Sequence, residues 1–247
     1  MAKNNPFMPF IEDFEKEAEN FLIKYGYEDA IENPQPIDIR EIISKRIALE
    51  IIDTEKLSPD YSVQGIIAFS EGIVEVFDMD ENAYVGHAVE GPAILIDCDL
   101  AISGYSNNIL AHEAFHWYKH RHYFIYRNMH NLGTEFAFRC DKKYEELVSD
   151  KTWSDEQKME WQARKIAPMI LMPRKALINK VYELSAWQRG EKSIGSVAEY
   201  NLINKVAEFF SVTPYSVAKR MTDLGYLLSA CSDNVYISFA GKQKAKV

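Results

Sequence analysis

The run His112-Glu113-Ala114-Phe115-His116 sets two imidazoles four residues apart, with a carboxylate directly after the first. In an α-helix, residues four apart share a face, so His112 and His116 can offer ring nitrogens to one ion. Glu113 lies about a quarter turn away, within reach of a water on that ion but poorly placed as a ligand. That combination suits hydrolysis. Zinc lowers the pKa of its water toward ~7, and a carboxylate takes the proton as the water attacks a carbonyl, then passes it to the leaving amine. The flanking Leu110, Ala111, Ala114, Phe115, Trp117 and Tyr118 carry no charge, as expected of a helix buried behind a site. Four of the six histidines fall between 112 and 122.

A zinc site of this kind takes three protein ligands and keeps a fourth position open. Downstream candidates for the third are His120, His122, His130, Asp141, Glu145, Glu146, Glu156 and Glu160. His120 sits a further turn, ~6 Å, along the helix axis, too far for the same ion, and reads as a neighbour of the ligands or as core. His122 faces elsewhere. Glu160 shares its segment with Ala163, Ala167 and Ile170, small or apolar residues that let a helix pack closely beneath the motif. Glu160 and Arg164 also have the i, i+4 spacing of a solvated ion pair, and spacing alone divides the two readings evenly.

The elements that must position these residues follow from periodicity. Helices are expected over 11–30, 37–51, 107–118 (capped by Ser106 or Asn107) and 155–172, with Pro168 inside the last. The β-branched and aromatic runs 63–69 and 72–77, parted by Ser70-Glu71-Gly72, read as a hairpin, and 91–97 reads as a third strand. A helical pair follows over 197–210 and 215–224, then a possible strand over 235–240. The reading is therefore α+β, with a catalytic domain over 1–185, a helix-turn-helix-like unit over 193–227 and a tail over 228–247.

With 247 residues, 47% of them hydrophobic, the chain can bury a real core, and its net charge of −9 argues against a protein that mainly grips phosphate backbones. Lys219 and Arg220 are the cations on the would-be recognition helix, so a structural helical pair is the expectation there. Three dispersed cysteines make no CxxC pair, which fits a reducing compartment. Residues 1–10 lack a basic region followed by an apolar run, and no apolar stretch could span a bilayer. The expectation is a cytoplasmic protein with no membrane partner.

Two blocks resemble the ImmA/IrrE family of bacterial and phage metallopeptidases. One is Leu110-Ala111-His112-Glu113-Ala114-Phe115-His116 with His120 a turn on. The other runs from Glu160-Trp161-Gln162-Ala163-Arg164 to Leu171-Met172-Pro173. The resemblance implies a zincin-like domain in which His112, His116 and Glu160 bind zinc and Glu113 is the catalytic acid/base. Arg164 stands where the family usually has asparagine, a change that bears on how the ligands are oriented. Glu145 and Glu146 remain alternative third ligands. The family's activity is cleavage of a protein, often a helix-turn-helix repressor of mobile-element or stress genes. In such enzymes an extended substrate adds to a strand, here the one over 91–97. The rival expectation is a metal-bound regulator that binds protein or DNA without cleaving.

Overall fold

Asp13 accepts a hydrogen bond from the Lys16 amide and Glu15 and Glu17 occupy the first turn, so the chain enters α1 (Phe14–Lys24) with the helix dipole answered. The computed structural model describes residues 8–101, 105–130, 136–141, 153–188 and 196–226. The strand expected over 235–240, the tail, and Glu145 and Glu146 lie outside them. The helix foreseen over 11–30 is shorter, because Gly26 takes a left-handed φ of +77° just after Tyr25. A 3-10 turn (Glu28–Ile31) follows. The helix foreseen over 37–51 is α2 (Ile39–Glu41) widening into a π-helical turn (Ile42–Ile47). It stops at Ala48, φ 62°, and the chain leaves it as strand β1 (Glu50–Ile52).

The strands are β2 (Val63–Ala68), β3 (Gly72–Asp78), β4 (Ala83–Val89), β5 (Ala93–Ile96) and β6 (Ala137–Asp141). One sheet has the order β1-β5-β2-β6, with β1 parallel to β5 and the other pairs antiparallel. β3 and β4 form a separate two-stranded ribbon. The runs 63–69 and 72–77 are thus both strands, but they do not pair with each other. The hairpin turn lies ten residues further on in β3's own exit. There Asp78 Oδ1 accepts from the Asp80 and Glu81 amides, and Asn82 takes φ 48°. An Asp that caps its own turn, followed by Asn in the left-handed region, specifies a reversal better than Ser70-Glu71 does. The expectation for 91–97 also changes in one respect. β5 has β1 on one side and β2 on the other, so it offers no free edge for an added strand; among the described residues the outer strands are β1 and β6.

The four-stranded sheet is buried on both faces. Ile67, Ile94 and Ile96 join the main core under the helices, while Ile66, Ala68 and Leu95 join a second cluster with Val74, Val76 and Val89 of the ribbon. That is why β2 and β5 read as nearly unbroken apolar runs.

On the helical side lie α3 (Ser106–Phe115), a π-helical turn (His116–His120) and α4 (Arg121–Met129), in direct succession. α5 (Asp155–Leu171) starts from a capping box in which Ser154 and Gln157 satisfy each other's amides. α6 (Arg174–Gln188), α7 (Ser196–Phe210) and α8 (Pro214–Asp223, capped by Thr213) complete the set. The expected side-chain cap on α3 is absent: Tyr105 is the N-cap residue and makes no such bond. Asn107 and Asn108 instead donate to the Ser211 carbonyl and Ser216 Oγ, both at 2.8 Å, tying α3 to the turn between α7 and α8. Val206, Ala207, Phe210, Val217, Ala218 and Met221 belong to the same apolar core as α3. No helix among the described residues is long and apolar enough to cross a membrane.

Arg220 is buried and donates to both carboxylate oxygens of Glu15, at 2.7 and 2.6 Å, so this cation of α8 points into the protein. Lys219 is exposed. The Arg220 side chain is 1% exposed and that of Glu15 27%. Removing the carboxylate strands a buried charge, whereas removing the guanidinium leaves a group that water can reach. Glu15→Ala is therefore expected to cost about 3 kcal/mol, and Arg220→Met less, compared by urea midpoints. Equal losses, or the reverse order, would contradict this account of the pair.

Candidate metal centre

α3 is buried from Ile109 to Phe115 because it packs against β2 and β5 on one side and α5 on another. α5 presents Met159, Ala163, Ile166, Ala167 and Ile170 to the core, and its alanines let the two helices approach. Glu160 emerges from that buried stripe. His112 Nε2 and His116 Nε2 are 3.0 Å apart, and each lies 3.3 Å from Glu160 Oε1. Three ligands held tetrahedrally at ~2.0–2.1 Å from one zinc ion would be ~3.3 Å apart. The triangle therefore fits a small divalent ion. Buried His112, His116 and Glu160 lie close enough to hold a metal ion.

Glu160 also answers the ion-pair reading. Its second oxygen, Oε2, is 3.4 Å from Arg164 Nε, within ion-pair reach though not aligned as a hydrogen bond. One carboxylate serves both neighbours, and since it has no solvent exposure the pair is not a solvated one.

Glu113 is fully buried, and among the described residues neither of its carboxylate oxygens has a hydrogen-bond partner. Room for it comes from Gly65 on β2, where an added Cβ would stand 2.6 Å from Glu113 Oε1 and 2.7 Å from Ile109 Cγ2. Burial, then the charge of Glu160, pushes the Glu113 carboxyl well above its ordinary value, with Arg164 opposing. Burial pulls His112 down to about 4 against the attraction of Glu160, which leaves its ring neutral near pH 7, the form that binds metal. For Glu160 burial acts upward, but His112 and then His116 outweigh it and hold the carboxyl well below the usual range. Glu160 is thus ionised beside a neutral His112, with the Arg164 guanidinium 3.4 Å from Oε2 as its cationic neighbour.

The remaining candidates lie apart. His120 approaches the Nδ1 side of His116 and is no ligand. His122 and His130 are exposed. Glu156 accepts from Arg127 Nη1 at 2.5 Å and from Tyr123 Oη at 3.1 Å. The Asp141 backbone pairs in β6. Sequence reasoning passed over Gly65, Gln162 and Phe138, whose ring packs against His116 with centroids 4.9 Å apart. A glycine inside an apolar strand was a usable signal, since it often marks a close approach. Nothing local distinguished Gln162.

A scan against protein-family models and a search of curated proteins each return no match to this chain.

Elemental analysis of the purified protein is expected to find one divalent metal ion per chain, lost in both His116→Ala and Glu160→Ala. A metal-free wild type after loading would refute the centre. A second expectation concerns the metal-free protein. A carboxyl whose pKa is raised on folding favours the folded state below its unfolded value of 4.5, and that advantage is lost as the pH rises above it. Metal-free Glu113→Gln should therefore melt higher than wild type at pH 7.5, with the gap closing toward pH 4. A gap that stays constant with pH would mean that Glu113 is not a strained acid.

Proposed function

We propose that the chain is a zinc-dependent, zincin-like endopeptidase that hydrolyses a peptide bond in a protein. The observation that carries this reading is the convergence of two imidazole nitrogens and the Glu160 carboxylate oxygen beside Glu113, which is buried and has no hydrogen-bond partner among the described residues. Two nitrogens and one oxygen suit zinc. A zinc ion there supplies Lewis acidity toward a carbonyl and acidifies water. His112, His116 and Glu160 hold it, and Arg164 keeps the Glu160 carboxylate oriented. Glu113, as the carboxylate, takes the proton from the attacking water and delivers it to the leaving amine as the C–N bond breaks. β6, the outer strand that sets Phe138 against His116, is the edge to which an extended substrate could add its own strand. The resemblance to the ImmA/IrrE family points to a helix-turn-helix repressor as that substrate.

The burial of the site favours a second reading, a metal-held regulator that does not cleave. Glu113, His116 and Glu160 have no solvent exposure, so a substrate must displace part of the protein to reach them.

Incubating the zinc-loaded protein with repressors encoded beside it decides between the two. Cleavage is expected, and Glu113→Gln should keep its zinc while losing ~10²–10⁴-fold in rate. Cleavage by that variant at the wild-type rate would remove Glu113 from its role, and no cleavage by any loaded form would favour the regulator. Gly65→Ala, which pushes on the Glu113 carboxylate, should lower the rate at least about tenfold with zinc content unchanged.

A further inference from the structure

The two oxygens of Glu160 meet different neighbours. Oε1 lies 3.3 Å from both His112 Nε2 and His116 Nε2 and completes the ligand triangle. Oε2 has no hydrogen-bond partner among the described residues, and Arg164 Nε stands 3.4 Å from it. A guanidinium has only donors and keeps its charge throughout the range in which proteins fold, so the sense of this attraction is fixed. The two residues are one turn apart on α5, and a rigid helix rather than a loop sets their contact. The Arg164 side chain is 21% exposed and that of Glu160 not at all, so the cation reaches the buried carboxylate from the solvent side. An unanswered buried oxygen is costly. Two groups could answer Oε2: the guanidinium, or the same ion that Oε1 would hold, since carboxylates bind ions through one oxygen or through both.

We propose that Arg164 is a positioning residue that reserves Oε2, so that Glu160 gives an ion one oxygen only. This role rests on the zinc reading and goes beyond orientation, because it fixes the number of donor atoms. A second oxygen from Glu160 would crowd the position that a catalytic site leaves open for water. The donor count in turn bears on the choice of ion. Two imidazole nitrogens and one oxygen suit zinc or cobalt, whereas a further carboxylate oxygen with no cation beside it moves the set toward manganese, which favours oxygen. Arg164 itself touches none of the reacting atoms.

Cobalt(II) and zinc loaded into the full chain report the donor count without activity. Wild-type protein should give the intense visible absorption of four-coordinate cobalt, and X-ray absorption of the zinc form should find one carboxylate oxygen at ~2.0–2.2 Å. Arg164→Met keeps the stem and removes the charge. It should turn five-coordinate, with the cobalt absorption several-fold weaker and the preference for zinc over manganese at least about tenfold smaller. Both Glu160 oxygens on the wild-type ion would overturn the proposal and leave the metal reading standing. An unchanged donor count in folded Arg164→Met would overturn it too, and a changed count with the preference unmoved would overturn the part that concerns the choice of ion. A wild-type chain that takes up no ion sinks both readings together. Should Arg164→Met fail to fold, a crystal structure of the zinc-loaded wild type decides. Arg164 still on Oε2, with Oε1 alone on the ion, upholds the role, and a guanidinium turned away from Oε2 overturns it.

Discussion

Glu160 holds one carboxylate between two imidazoles and a guanidinium in a place that water does not reach. A charge so placed costs several kcal/mol unless its neighbours supply what water would, and the surrounding structure is arranged around that demand. α3 and α5 must come close enough for Oε1 to meet both rings, which is why alanines occupy the buried faces of both helices at 111, 114, 163 and 167. Arg164, one turn along α5, takes the second oxygen. The sheet beneath closes the site off with a face of isoleucines and one glycine.

The motif was legible from the sequence because its geometry is local. Two histidines and a glutamate at helical spacing need nothing beyond the helix itself to define a face. The dual role of Glu160 was half legible, since spacing suggested both a ligand and an ion pair, and the three-dimensional arrangement makes them one. Strands were legible as types, through β-branched runs, but not as partners. Nothing within 63–77 says that β2 pairs with β5 and β6 while β3 turns away to β4; the Asp78 and Asn82 turn and the burial of β2 on both faces settle it. The edge expected at β5 failed for the same reason, because β1 was hidden in what read as the end of a helix. Gln162 was not legible at all, since its two partners come from residues 9 and 120, and it reaches His116 only through His120, a chain of contacts that only folding assembles.

Glu113 illustrates the opposite of good packing economy. A buried carboxylate with no hydrogen-bond partner among the described residues lowers stability at neutral pH, and Gly65 gives up a side chain to make room for it. Natural proteins concentrate such unfavourable placements where chemistry needs a poised group. The fold offsets the cost elsewhere, in the two-faced sheet and in the helical pair that shares its core.

The contact between Pro9 and Gln162 spans 153 residues, and that between Glu15 and Arg220 spans 205. During synthesis the ends of these contacts emerge from the ribosome far apart in time, at ~5–20 residues per second. His112 and His116 leave before Glu160 and Gln162, which follow them later in the chain. A polypeptide ended before α5 therefore holds the two imidazoles without the carboxylate that completes the triangle. An ion that needs all three ligands could thus bind only after the segment that carries Glu160 has left the ribosome and packed against α3.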